Sequence, residues 1–163
     1  MDKDITWAII VSIKHHSVLK LVKKLIKMGI SPSHIIVVTN VTHIEPLVAL
    51  GVLQDNILKK GIVGYAGSLI MGTEKVVQYN PGAILVNLSS EFDGDLEEEE
   101  ALIISGTERA RRRHALFIGS TETEDGIAVW RTEALITAVT EGGVSKKATF
   151  GELTAKLSQI TVL

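Results

Sequence analysis

Two kinds of apolar pattern alternate along the chain. Short continuous runs bounded by turn residues alternate with longer stretches in which apolar positions return every three or four residues. Residues 5–13 (ITWAIIVSI) are apolar almost throughout, the signature of a central strand covered on both faces. Val18, Leu21, Val22, Leu25 and Ile26 then recur at helical spacing, with Lys20, Lys23, Lys24 and Lys27 on the opposite face. Ser17 is placed to cap that helix and Gly29 to end it. A second buried strand is predicted over 35–38. The three elements form a strand–helix–strand unit, the mark of a parallel sheet.

The alternation continues. Thr42 and Glu45 have the spacing of a capping box, predicting a short helix with Pro46 in its first turn and Gly51 past its end. Residues 57–58 read as a weak strand. Residues 61–72 are glycine-rich, and 68–79 are helical in pattern. The turn Asn80-Pro81-Gly82 feeds the apolar run 83–88, a further buried strand whose end turns polar and acidic: Asn87, Ser89, Ser90, Glu91, Asp93, Asp95. A helix over 95–113 starts with acids and ends with arginines, which suits the helix dipole. Strands at 115–118 and 127–130, a helix near 133–139, a break at Gly142-Gly143 and a second capping box at Thr149–Glu152 complete the pattern.

The predicted order is β-α-β-α-β-α-β-α-β-β-α-α. It argues for an α/β fold, a three-layer α/β/α arrangement with a mainly parallel sheet, expected to form one domain over 1–163. In such sheets ligands sit beyond the carboxyl ends of the strands. The expected site is therefore the polar and acidic end of the strand at 83–88.

Composition narrows the classes. Hydrophobic residues are 45% of the chain, enough for a real core. The formal net charge of −2 gives no global field for nucleic acid or an anionic membrane. Aromatics are 4%, too few for a base-stacking platform. Cysteine is absent, which excludes disulfides and thiolate metal sites. No apolar run approaches the about 18 residues of a membrane span. These features are those of a soluble, cytoplasmic protein, with the oligomeric state, a homo-oligomer included, left open.

Several residues could carry chemistry. Asp93 and Asp95 flank a glycine and could share a hard divalent cation, Mn²⁺ or Mg²⁺; they also read as a turn and a helix cap. Glycines 64, 67 and 72 could let backbone approach a phosphate, although they fit neither GxGxxG nor a P-loop. His15 and His16 lie just past the first strand and read as ligand contacts or as solvated loop residues. The arginines at 109–113 could clamp phosphate or pair with nearby acids. Glu124-Asp125 reads as a turn. Glu152 could serve as a general base, or only as a capping residue.

The order of these features resembles the GT-A fold nucleotide-sugar glycosyltransferases, the inverting family-2-like enzymes, in a short or degenerate form. The matching stretches are Val38-Thr39-Asn40-Val41-Thr42, the glycine-rich Gly64 to Gly72, the strand 83–88 with its acidic tail, Val129 to Leu135, Gly142-Gly143, and Gly151-Glu152-Leu153. The resemblance implies a Rossmann-like fold and sugar transfer from a nucleoside diphosphate-sugar to an acceptor. It implies a divalent metal on Glu91, Asp93 and Asp95, and Glu152 as the base. It places His15, Thr39, Asn40, Gly67 and Ser89 around the nucleotide. The chain departs from the family pattern at Thr39, where an aspartate that holds the base is usual, and at Ile70, where asparagine is usual. Its Asp93-Gly94-Asp95 falls several residues past the strand, where Asn87 and Ser89 stand. Two other readings share the fold: a non-catalytic binding or assembly module, and a nucleotidyltransferase-like nucleotide-binding protein.

Overall fold

The structure is a computed structural model that describes residues 4–12, 15–89, 115–118 and 127–161. Six strands form one sheet: β1 (Thr6–Ser12), β2 (Ile35–Thr39), β3 (Ile57–Lys59), β4 (Ile84–Ser89), β5 (Ala115–Ile118) and β6 (Ile127–Arg131). Their order across the sheet is β3-β2-β1-β4-β6-β5. The first four run parallel, and β6 runs antiparallel to both β4 and β5. The expected α/β class with a mainly parallel sheet is what the chain adopts. Single-sequence pattern cannot show that β6 reverses, because direction leaves no trace in strand periodicity.

Five described helices cover the sheet: α1 (His15–Lys27), α2 (Glu45–Ala49), α3 (Tyr65–Tyr79), α4 (Thr132–Thr140) and α5 (Phe150–Thr161). β1 shows why two covers are needed. Trp7, Ile9 and Val11 enter one core, packed with α3, α4 and α5. Ala8 and Ile10 enter the other, packed with α1 and α2. Side chains alternate across a strand, so a strand apolar at every position must be buried on both faces. α1 obeys the complementary rule: Val18, Leu21, Val22 and Leu25 are buried while Lys20, Lys23 and Lys27 are exposed. It ends in a Schellman turn. Gly29 takes φ 103°, its N–H donates to the Ile26 carbonyl at 2.9 Å, and Ile30 N–H donates to Leu25 at 3.1 Å.

Helix starts differ from the pattern in three places. α1 opens at His15, so His15 and His16 lie in its first turn and not in a loop, and Ser17 is inside the helix. First-turn N–H groups have no intrahelical partner in any case, and Ser17, in the third position of α1, is too far in to be its cap. α2 is capped at Ile44, with Pro46 in its first turn, and no side chain caps it. The fixed φ of Pro46 sets the start, which leaves Thr42 two residues too early; Glu45 pairs instead with His43 at 3.0 Å. α3 begins at Tyr65, three residues before the expected start. Its glycines are packing residues. A Cβ on Gly72 would lie 2.8 Å from the Ile9 side chain, so the missing side chain lets α3 sit tightly on β1.

The turn before β4 is built as expected. The Asn80 side chain accepts from Gly82 N–H at 3.1 Å, an Asx turn. Thr132 locks that turn to the start of α4. Its hydroxyl donates to the Pro81 carbonyl, and its N–H donates to Ala83 at 3.1 Å. The amino edge is closed by rings: Trp7 stacks between His34 at 4.3 Å and Tyr79 at 5.4 Å. The predicted helix over 95–113 lies outside the described residues. No helix among the described residues is long and apolar enough to cross a membrane.

Candidate functional site

The strand order defines the site. From β1 the chain moves outward through β2 to β3, then returns to place β4 on the other side of β1. The β1–β4 boundary is thus a topological switch point, where the connections diverge and leave a crevice at the carboxyl ends of the strands. Ser12 ends β1 there, and Ser89 ends β4 opposite Val11.

Several of the residues singled out in the sequence come to this one edge. His15 is in the first turn of α1, directly after β1. Thr39 is the last residue of β2 and pairs in register with Ser12. Gly67 is in the first turn of α3, which follows β3. Glu152 is in the first turn of α5. The α5 start is brought to the same edge by Phe150, whose ring meets Tyr65 edge-on at 4.9 Å at the start of α3.

Local bonding says what each can do. Thr39 is buried; its hydroxyl accepts from Val41 N–H at 3.1 Å, and its carbonyl accepts from Lys60 N–H at 2.9 Å. It stabilises the end of β2 and presents no carboxylate. Asn40 is exposed, and its amide clamps Gly61 through two hydrogen bonds. Gly67 is buried, and a Cβ there would lie 2.3 Å from the Lys146 carbonyl. Its glycine is accounted for by that close approach of backbone. Glu152 is exposed, and its N–H donates to the Thr149 hydroxyl at 3.1 Å, one half of the expected capping box. Its carboxylate stands at the surface of the edge.

The acids Glu91, Asp93 and Asp95 lie outside the described residues, as do Arg109 to Arg113 and Glu124-Asp125. Among the described residues no three His, Asp or Glu groups gather as metal ligands. Asn87, in register for the end of β4, is fully buried. Its amide N–H group donates to the Ala128 carbonyl at 3.2 Å. It ties β4 to β6 and does not face solvent.

An open groove of about 460 Å³ begins at the carboxyl end of β2 and runs along β3. Thr39, Asn40, Thr42, Asp55, Ile57 and Lys59 line it. Its size is that of a small-molecule site. Asp55 and Lys59 were not visible as candidates in the sequence. Nothing in their spacing marks them, and only the position of β3 at the sheet margin brings them together with Thr39.

No protein-family model and no curated protein matches the chain. Among solved structures, it is similar to the crystal structure of mannose-1-phosphate geranyltransferase from Thermus thermophilus, at a TM-score of 0.48 and 14% identity, over 93% of this chain and 67% of that one. A likeness of that size carries no argument about activity. The fold class stands on the strand order and register themselves.

Proposed function

We propose that the chain is a nucleotide-binding domain that takes a nucleoside diphosphate, free or carrying a sugar, along the carboxyl edge of its sheet. The observation that carries this reading is that the ends of β1, β2 and β4 and the first turns of α1, α3 and α5 lie at the carboxyl edge of one sheet, with an open groove at its margin beside β2 and β3. Helix starts offer free N–H groups and positive dipole ends, which favour phosphate. The groove beside Thr39 and Asn40 supports placing the nucleoside there, with the phosphates directed toward the switch point between β1 and β4.

Two reactions fit such an edge. In sugar transfer, an acceptor hydroxyl attacks the anomeric carbon, the bond to the diphosphate breaks, and Glu152 takes the hydroxyl proton. The acids Glu91, Asp93 and Asp95 would hold the Mn²⁺ or Mg²⁺ that neutralises the leaving diphosphate. In nucleotidyl transfer, a sugar-phosphate oxygen attacks the α-phosphorus of a nucleoside triphosphate and pyrophosphate leaves. The second reading is favoured by Thr39: sugar transfer of the family-2 kind rests on an aspartate there, and this chain carries a buried hydroxyl bonded to its own backbone. Calorimetry with UDP, GDP, CDP and ADP, each with and without Mn²⁺, tests the binding, and the absence of any heat up to about 1 mM rejects it. Release of nucleoside diphosphate against pyrophosphate separates the two reactions.

A further inference from the structure

The groove along β3 carries two charges of opposite sign. Asp55 sits in the single 3₁₀ turn Gln54–Asn56 that leads into β3, and Lys59 is the last residue of β3. Both line the groove and both are exposed. Neither side chain has an ion-pair or hydrogen-bond partner among the described residues. Two residues of 3₁₀ rise and two of strand rise put their backbones at most about 11 Å apart. Ile57 lies between them on the groove wall.

Both ends of the groove are pinned. Beside Asp55, the buried Asn56 amide donates to the Ser33 carbonyl at 3.2 Å. Beside Lys59, Lys60 N–H donates to Thr39 at 2.9 Å and Lys60 Nζ donates to the Val63 carbonyl at 2.6 Å. Asn40 holds Gly61 next to it. A groove fixed in this way loses little freedom when a ligand enters.

We infer that Asp55 and Lys59 are the two recognition residues of this groove, Asp55 for the nucleoside end and Lys59 for the phosphate end of one nucleoside diphosphate. The inference rests on the nucleotide reading above and deepens it. A carboxylate accepts from base N–H groups and ribose hydroxyls, and an ammonium takes phosphate oxygen through charge-assisted bonds. An apolar wall between them meets the base or ribose face. The polarity follows from position. Lys59 stands beside Thr39 at the carboxyl edge, so the phosphates leave the groove toward β1 and β4. Asp55 lies farther down the sheet margin, which puts the base away from the reacting end. A ligand with an anion at one end and donors at the other satisfies both groups; inorganic phosphate or a bare nucleoside satisfies one.

The test is calorimetry on the whole chain with UDP, GDP, CDP and ADP, and with the corresponding nucleosides. It uses K59M, D55N and the control K20M, which removes an exposed lysine on the outer face of α1. Both groove residues are exposed, so thermal unfolding should be unchanged and should report intact folding. The expected result is about tenfold weaker binding of the diphosphates by K59M with nucleoside binding unchanged, about tenfold weaker binding of both by D55N, and no change in K20M. If the wild-type chain binds a diphosphate and K59M and D55N bind it equally well, the inference falls and the nucleotide reading stands. If the wild-type chain binds none of the probes, the nucleotide reading falls and takes the inference with it.

Discussion

The Asn40 side chain and the Gly61 backbone exchange two hydrogen bonds: Asn40 Nδ2 donates to the Gly61 carbonyl at 2.9 Å, and Gly61 N–H donates to Asn40 Oδ1 at 2.8 Å. An amide side chain thus continues the β2–β3 contact past the ends of both strands, from the residue after β2 to the second residue after β3. Gly61 takes φ +66°, where a side chain is strained. Asn40→Ala removes both bonds at an exposed position and should cost about 1–2 kcal/mol. Asn40→Asp keeps only the acceptor and should lie between. Gly61→Ala should cost about 1–2 kcal/mol through φ. The double variant should cost less than the sum, because each change already loosens the same clamp. Urea unfolding of the four chains checks this, with faster amide exchange at Gly61 in Asn40→Ala as the local signature. Full additivity would mean that the two residues are not coupled.

Gly64 and Gly67 stand three residues apart and should respond in opposite ways. A Cβ at Gly67 meets the Lys146 carbonyl at 2.3 Å, backbone that cannot swing aside as a side chain can. Gly67→Ala must push the 144–149 segment off α3 and should cost about 1–3 kcal/mol. Gly64 caps α3 with extended backbone, φ −77° and ψ −168°, and has open space around its Cβ position. Gly64→Ser supplies a side-chain acceptor for the first turn and should be neutral or stabilising by a few tenths of a kcal/mol. Thermal unfolding of the two variants decides the matter. A mild Gly67→Ala would show that the contact with Lys146 is slack.

These glycines show how far the sequence could be read. The runs that became β1, β2 and β4 were legible because a strand buried on both faces is apolar at every position. The edge strand β3 was weakly visible, since its residues are half-buried or exposed. The glycine-rich stretch 61–72 announced close backbone approach, but not to what. The partner of Gly67 is Lys146, brought in by tertiary folding alone. Thr39, Asn40, Ser89 and Glu152 were legible as an edge because they follow strands or open helices. Asp55 and Lys59 were not, because a charge on a short exposed strand looks the same whether it lines a groove or faces bulk water.

Asn87 is a polar group where the core around it is apolar. It is fully buried, pairs in register with Ile9 and Ala128, and donates to the Leu85 and Ala128 carbonyls at 3.4 and 3.2 Å. Its Oδ1 has no hydrogen-bond partner among the described residues. A buried acceptor without a partner costs about 1–3 kcal/mol. Asn87→Leu, close in size, removes that cost together with two long hydrogen bonds, and should leave stability unchanged or raise it by about 1 kcal/mol. Asn87→Asp replaces the donor with a buried charge facing two carbonyls, and should cost about 3–5 kcal/mol at neutral pH. Its loss should shrink as acid protonates the carboxyl, because the neutral acid can donate again. Denaturant titrations at pH 7 and pH 4 measure both. An Asn87→Leu chain that is less stable by more than about 2 kcal/mol would show that the amide bonds to β6 outweigh the unmet acceptor.

Thr149 and Glu152 separate structure from chemistry at the start of α5. The Thr149 hydroxyl accepts from Glu152 N–H at 3.1 Å, so the cap depends on the threonine side chain and only on the backbone of the glutamate. Thr149→Ala should therefore lower stability by about 1 kcal/mol. Glu152→Gln keeps size, polarity and the backbone N–H, and should change stability by less than about 0.5 kcal/mol. It removes the carboxylate that would take the acceptor proton in sugar transfer. If that reaction is the chain's own, kcat in Glu152→Gln should fall by about 10²–10⁴-fold while nucleotide affinity holds. Nucleotidyl transfer has no hydroxyl proton for Glu152 to take, so pyrophosphate release should be nearly unaffected. Measuring both products and the unfolding midpoint on the same two variants assigns Glu152 to one role. A Glu152→Gln chain that keeps full sugar transfer excludes it as the base.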